Sequence, residues 1–472
     1  MTMKQKKLRI LHVGAECMPY AAAGGLGDVL GSLPRALAEA ADADVRVALP
    51  LYGCVGTKVR ARLALVASLT VPLVWRRQPC RVYSLQEGPV TVYFIENDFY
   101  FGRENIYGYG DDGERFAFFC TAVLEMLPRV GFSPQVLHAH DWHAALAVHD
   151  LHIHAERRIK TVFSIHNITY QGVFPAEVAA DALGFVPDGD PVNLLADAVA
   201  LADRVTTVSP TYAGEICTPE FGCGLDGLLR THADKLSGIC NGIDTEGYNP
   251  VTDPWIYANY SAQTVGHKWQ NKRALQERLG LPVTDAPLLA AVSRLVEHKG
   301  MDLLCTSAWA MMQQEVQFVI LGTGEVRYEE AFLRLASEYP AKLRACICYD
   351  RALARQIYAG ADLFLMPSKA EPCGLSQLIA ARYGTLPVVR RTGGLADTIH
   401  DFCWDDVAVT GNGFTFEAYD STAFCSRISD ALAACADPAL RLRLAAAAMG
   451  TDVSWRRAAQ EYLRLYEELK QR

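Results

Sequence analysis

Short apolar runs rich in leucine and β-branched residues alternate along the whole chain with stretches whose apolar positions recur at helical spacing, the pattern of parallel α/β units. The first half predicts strands at Leu8–Val13, Asp44–Leu49, Val90–Ile95, Val136–Ala139, Thr161–Ile165 and Arg204–Val208. The second half predicts them at Leu288–Ser293, Val316–Leu321, Ala345–Cys348, Leu363–Met366, Leu386–Val389 and Gly413–Phe416. Between the halves, Asn241-Gly242-Ile243-Asp244 and Tyr248-Asn249-Pro250 lead into a polar stretch that reads as a hinge. The expected architecture is two doubly wound domains, residues 1–245 and 263–454, with a hinge at 246–262. Residues 455–472 then form an amphipathic helix with Tyr462, Leu463, Leu465, Tyr466 and Leu469 on its apolar side.

Composition narrows what such a chain does. At 472 residues it exceeds one ordinary core, and half of its residues are apolar, so each domain can bury a substantial interior. The formal charge is −8, and the only basic block is the short Lys4-Gln5-Lys6-Lys7, which argues against nucleic acid and anionic membranes as partners. Fourteen cysteines are scattered without any C-x-x-C, so they read as reduced thiols rather than a disulfide or zinc framework. The N-terminus lacks a signal-like apolar region and no apolar run approaches the length of about 18 residues needed to span a bilayer, which gives a cytoplasmic reading.

Chemistry concentrates where strands end. Glu371-Pro372-Cys373-Gly374-Leu375-Ser376 follows the strand Leu363–Met366 and sets a carboxylate, a backbone-exposing glycine and a helix-capping hydroxyl at one sheet edge. Arg294 and Lys299 follow Leu288–Ser293, where two cations can neutralise a diphosphate without a metal. Gly24-Gly25-Leu26-Gly27-Asp28 is echoed by Gly393-Gly394-Leu395-Ala396-Asp397, and each opens a predicted helix where bare N–H groups suit phosphate or a sugar oxygen. Neither has the spacing of a dinucleotide fingerprint or a P-loop. The run His138-Ala139-His140-Asp141-Trp142-His143 contains His-x-His, but it lacks cysteine partners, and strand alternation sends neighbouring side chains to opposite faces, so no metal site is expected. Asp141 and His166 instead suit a polar edge that hydrogen-bonds hydroxyls. The D-x-D sequences Asp42-Ala43-Asp44 and Asp188-Gly189-Asp190 read as turn chemistry, and no G-x-S-x-G elbow supports a hydrolase.

These residues together resemble the bacterial glycogen and starch synthases. The match spans essentially the whole chain: Glu16-Cys17-Met18-Pro19, Gly24-Gly25-Leu26-Gly27-Asp28-Val29, His138–Ala144, Ile165-His166-Asn167-Ile168-Thr169-Tyr170-Gln171-Gly172, Ser293-Arg294, Lys299-Gly300, Glu371–Leu375, Arg390–Asp397 and Ser454-Trp455. The resemblance implies a GT-B fold whose last helix crosses back to the N-terminal domain. It also implies transfer of glucose from ADP-glucose to the non-reducing end of an α-1,4-glucan, glycogen or a maltooligosaccharide, with retention of configuration and no metal cofactor. In that family Arg294 and Lys299 would bind the donor diphosphate, and Glu371 would support the cationic transition state. Asp141 and His166 would hold the glucose from the N-terminal side. Gly24, Gly25, Cys373, Gly374, Leu375, Ser376 and Thr392 would contact the donor, and Tyr349 would lie against adenine.

One departure stands out. The family's first glycine loop carries a lysine two residues before Gly-Gly-Leu, and Ala22 occupies that position, with no lysine between Lys7 and Lys58. Loss of one charge-assisted contact costs about 1.5–3 kcal/mol. Two alternatives therefore stand beside an active synthase: a retaining relative with another donor such as UDP-glucose, and a weakly active glucan-binding regulator.

Overall fold

The computed structural model describes residues 7–154, 158–183 and 191–471, so Asp188-Gly189-Asp190 lies outside the described residues. The chain forms two compact units, one of Met1–Asn241 with Trp455–Arg472 and the other of Gly242–Ser454.

The first unit is built on a nine-stranded sheet. Its strands are β1 (Leu8–Val13), β2 (Ala43–Pro50), β3 (Ala64–Leu73), β4 (Arg76–Glu87), β5 (Val90–Glu96), β6 (Val136–His140), β7 (Lys160–Ile165), β10 (Arg204–Thr207) and β11 (Leu236–Gly238), with β8 (Val173–Phe174) and β9 (Val192–Asn193) forming a separate ribbon. The order is β11-β10-β7-β6-β1-β2-β5-β4-β3, parallel from β11 to β5 and antiparallel through the β3–β4 hairpin. The central strands are near-continuous apolar runs because helices cover both faces. The hairpin is the longest element that the hydrophobic pattern does not predict; the short β8, β9 and β11 are missed as well. β3, the edge strand, is largely exposed, as edge strands are, and β4 beside it carries Arg76, Arg77, Pro79 and Arg81.

The helix Gly25–Ala40 and the C-terminal helix Arg456–Gln471 pack on one face of this sheet. Val29, Leu33 and Leu37 meet Ala459, Tyr462, Tyr466 and Leu469 in a common core with Ile10 and Val136. The predicted amphipathic helix thus forms and buries its apolar side in the first unit.

The second unit has a six-stranded, wholly parallel sheet of β12 (Leu288–Val292), β13 (Gln317–Leu321), β14 (Leu343–Cys346), β15 (Leu363–Met366), β16 (Leu386–Arg390) and β19 (Phe414–Phe416), plus a small ribbon of β17 (Cys403–Trp404) and β18 (Val409–Thr410). The order β14-β13-β12-β15-β16-β19 is the doubly wound 3-2-1-4-5-6 arrangement, which reverses direction between β12 and β15. Both sheets share this plan, and the equivalent reversal in the first lies between β1 and β6.

The segment 246–262, expected as a hinge, belongs to the second unit. Ile256 and Tyr260 are part of its core, buried Asp253 pairs with Arg355 at 2.9 Å, and the Tyr260 hydroxyl donates to the Tyr383 carbonyl at 2.7 Å. Its prolines and glycine mark irregular backbone, but its aromatics supply the burial that fixes it. Among the described residues no helix is long and apolar enough to cross a membrane.

Candidate active site

In open α/β sheets, ligands bind outside the carboxyl ends of the strands that flank the reversal. In the second unit those strands are β12 and β15, and the residues that follow them are Arg294, Lys299 and Glu371. Glu371 is buried, and the Lys299 ammonium lies 2.7 Å from each of its carboxylate oxygens, with the Ser368 hydroxyl donating at 3.1 Å. Arg294 is exposed and makes no ion pair with a described residue. Neighbouring His298 is pushed down to about 4 by burial, reinforced by Lys299 and Arg294, so it adds no charge at neutral pH.

Around Glu371 the backbone is tightly knit. Gly394 N–H donates to the Glu371 carbonyl at 3.0 Å, and a Cβ on Gly394 would come within 2.2 Å of the Cys373 carbonyl oxygen. This close approach brings the start of helix Ser376–Arg382 beside that of helix Gly393–Thr398. Gly374 adopts φ +73°, which a residue with a side chain resists. Ser376 is the first helical residue and Leu375 the cap, so the serine does not cap its own helix as its position in the sequence suggested. First-turn N–H groups, including those at Leu375 and Ser376, have no intrahelical acceptor. Buried Thr392 occupies the N-cap position of the second helix without a side-chain capping hydrogen bond, and Tyr349 is 86% exposed.

In the first unit the reversal lies between β1 and β6. The β1 side leads to the Gly24-Gly25 loop, which opens helix Gly25–Ala40. Here the structure gives a role to Glu16, which stands in a motif that the resemblance quotes but had no role assigned to it. Buried Glu16 accepts from the N–H groups of Ala23 and Gly24, both at 2.8 Å, and from the Tyr107 hydroxyl at 2.8 Å. A carboxylate of the chain itself thus occupies loop donors that the sequence offered to phosphate. Ala21 is buried while Ala22 and Ala23 are exposed.

The β6 side ends at Asp141, whose backbone sits at φ +57° and ψ 177°, a region nearly reserved for glycine that costs on the order of 1–3 kcal/mol. The strain aims its carboxylate at the end of β7, where Oδ1 accepts the His166 N–H at 2.7 Å. Burial pushes the Asp141 carboxyl up to about 7 against the opposing effect of the His166 and Asn167 amides. His166 is pushed down to about 4 by burial, so its imidazole is neutral.

Beneath these residues lies a histidine cluster only partly legible in the sequence. His138 and His140 are two apart on β6 and so point to the same face, where in-register His12 of β1 joins them; alternation separates only adjacent residues. His12 Nδ1 is 3.0 Å from His140 Nε2, and His140 Nδ1 is 2.9 Å from His166 Nε2. Both nitrogens of His138 are occupied, by the Tyr466 hydroxyl at 2.7 Å and the Ser164 hydroxyl at 2.6 Å. Ligand atoms of His12, His138 and His140 lie within 4.8 Å of one another, yet these hydrogen bonds engage nitrogens that a metal would need. Asp42 and Asp44, the described D-x-D carboxylates, pair with Lys7 at 2.5 Å and Arg46 at 2.9 Å at the opposite end of β2.

Comparison with known proteins agrees over nearly the full length. Residues 9–231 match the family model of the starch synthase catalytic domain, and residues 286–434 match that of the glycosyl transferases group 1. Glycogen synthase of Geobacillus thermodenitrificans is 45% identical over 98% of both chains, and that of Lactobacillus acidophilus is 45% identical over 98% of this chain and all of the relative. Among solved structures, the catalytic domain of Starch Synthase IV from Arabidopsis thaliana bound to ADP and acarbose superposes with a TM-score of 0.90 at 34% identity, covering 99% of this chain and 100% of that one. Sucrose-phosphate synthase from Thermosynechococcus elongatus, at 17% identity, 98% of this chain, 100% of that chain and a TM-score of 0.61, shares the fold.

Proposed function

The chain belongs to the glycogen and starch synthase family of GT-B glycosyltransferases, and from that membership we propose that it lengthens an α-1,4-glucan with glucose from ADP-glucose, with retention at the anomeric carbon and without a metal. The observation that carries this reading is the Glu371–Lys299 pair beside unpaired Arg294 at the reversal of the second sheet. Lys299 is held by Glu371. A donor diphosphate arriving next to Arg294 competes for that ammonium and frees the carboxylate to face the sugar. The two cations then stabilise charge on the departing nucleotide, the largest electrostatic demand of the reaction. The C1–O bond to phosphate breaks with its electron pair leaving on the nucleotide. The glucan 4-hydroxyl oxygen bonds to C1 on the same face, and its proton passes to the departing phosphate oxygen. Asp141 and neutral His166 present hydrogen-bonding groups to glucose hydroxyls.

The test is incubation with ADP-glucose or UDP-glucose plus glycogen, with and without a chelator, reading nucleotide release and the anomeric proton of the new linkage. Release of ADP, an α-linkage and survival in chelator are expected. Preference for UDP-glucose, an inverted linkage, or loss that divalent metal restores would each overturn the corresponding part. No turnover with either donor would favour a binding role.

A further inference from the structure

The geometry points to a role for two histidines that touch no substrate: we propose that His12 and His140 are positioning residues that fix His166 in the Nδ1–H tautomer, making it a hydrogen-bond donor toward the bound sugar. The inference rests on the reading of His166 as a sugar-binding residue.

The two bonds link three rings in a line, His12 Nδ1 to His140 Nε2 and His140 Nδ1 to His166 Nε2. Burial lowers the proton affinity of all three, to about 3 for His12, to about 4 for His166 and well below the ordinary histidine value for His140. Each ring is therefore neutral and carries one N–H. Each N···N bond needs one N–H and one lone pair, so the line has only two proton arrangements.

In the first, His12 Nδ1–H donates to His140 Nε2, His140 Nδ1–H donates to His166 Nε2, and the His166 proton is on Nδ1. In the second, every bond is reversed, and the His12 proton sits on Nε2. That atom decides between them. His12 Nε2 is buried with no hydrogen-bond partner, so the second arrangement buries an unsatisfied N–H, while the first leaves only an unused lone pair there. Orphaned buried N–H groups are the rarer and costlier defect. His166 Nδ1, which has no partner among the described residues, then offers its N–H outward from the end of β7. His138 stands outside the line, since its own partners are Tyr466 and Ser164.

The chemical consequence is that a hydroxyl oxygen or ring oxygen of the sugar, rather than a hydroxyl proton, is what His166 recognises. Outer partners of this kind set the tautomer and orientation of an imidazole and are felt in its function.

Long-range proton–nitrogen NMR of the full-length protein labelled with nitrogen-15 histidine, assigned through His166→Gln, reads the tautomer directly and does not depend on donor identity. Wild type should show His166 protonated on Nδ1. In His12→Leu the single tautomer should give way to a mixture and kcat should fall about ten-fold with little change in KM for glucan, as outer-partner loss does. His12→Asn, whose amide again donates to His140, should restore both. A wild-type His166 protonated on Nε2 overturns the proposal, as does an unchanged tautomer in His12→Leu, or a stoichiometric metal on these histidines by elemental analysis. If His12→Leu does not fold, the wild-type spectrum alone decides. Failure of the donor assignment would remove turnover from every variant and leave the spectra readable.

Discussion

Glu371 is the residue on which the proposed chemistry turns, because it is the buried carboxylate of its turn and Lys299 clamps both of its oxygens. Glu371→Gln keeps the volume and removes the charge. Turnover should drop at least about a hundred-fold as transition-state stabilisation is lost. Nucleotide binding should persist, and stability should fall by no more than about 1–2 kcal/mol, since Lys299 reaches solvent. Calorimetric titration with ADP beside steady-state kinetics separates the two, and near-normal turnover would remove Glu371 from the reaction. Ala22 poses the opposite question. Its methyl group is exposed beside the helix start, in a loop held by buried Ala21 and by Glu16 on the Ala23 and Gly24 amides, so a longer side chain can extend outward. Ala22→Lys should raise kcat/KM for ADP-glucose by about ten-fold or more, the worth of one charge-assisted contact. A folded variant with an unchanged or lower value would show that the loop has been rebuilt for another purpose.

At the scale of elements, β1, β6 and the end of β7 carry His12, His138, His140 and His166 as neutral rings in or beside the sheet interior. Their proton affinities are lower in the folded state than the ordinary value near 6.5, so the stabilisation they bring is present above about pH 6.5 and is lost as pH falls through their folded values. Each ring can steepen the acid limb by up to about 1.4 kcal/mol per pH unit. Asp141 works in the opposite direction: with its carboxyl near 7, its contribution is complete at acid pH and is lost as pH rises from about 4 through about 7. Urea unfolding from pH 4.5 to 8 should therefore show a shallower acid limb in His12→Leu than in wild type, and superimposable slopes would contradict the assignment of a buried neutral ring. The β3–β4 hairpin shows what pattern alone misses at this scale. Its strands are held by antiparallel pairing at the sheet edge, and long-range pairing leaves little mark on hydrophobic periodicity.

For the whole molecule, the chain leaves the first unit at Asn241 and returns to it at Trp455. The returning helix buries Tyr462, Tyr466 and Leu469 to about their full extent, and the Tyr466 hydroxyl meets His138. Loss of a single buried aromatic costs about 3–5 kcal/mol, and a domain's entire stability is about 5–15 kcal/mol. A chain ending at Ser454 should therefore lose the cooperative unfolding of the first unit while the second keeps its own transition, which proteolysis and calorimetry can follow separately. Retention of a wild-type first transition would contradict the role of this helix in that core.

Sequence alone determined the α/β class, most strands to within a residue or two, the amphipathic last helix and the positions of Glu371, Arg294, Lys299, Asp141 and His166, because apolar period and strand-end chemistry are local properties. Tertiary structure decided what those residues meet. It placed Glu16 on the glycine-loop amides, closed Lys299 onto Glu371, strained Asp141 into a glycine-like backbone and drew His12 beside His140. It also packed residues 246–262 into the core of the second unit. Apart from the local Glu16 contacts, these depend on strands or loops distant in the chain coming into register, and the free energy that selects among such pairings is that of burial and hydrogen bonding across the sheet, which no stretch of sequence read by itself contains.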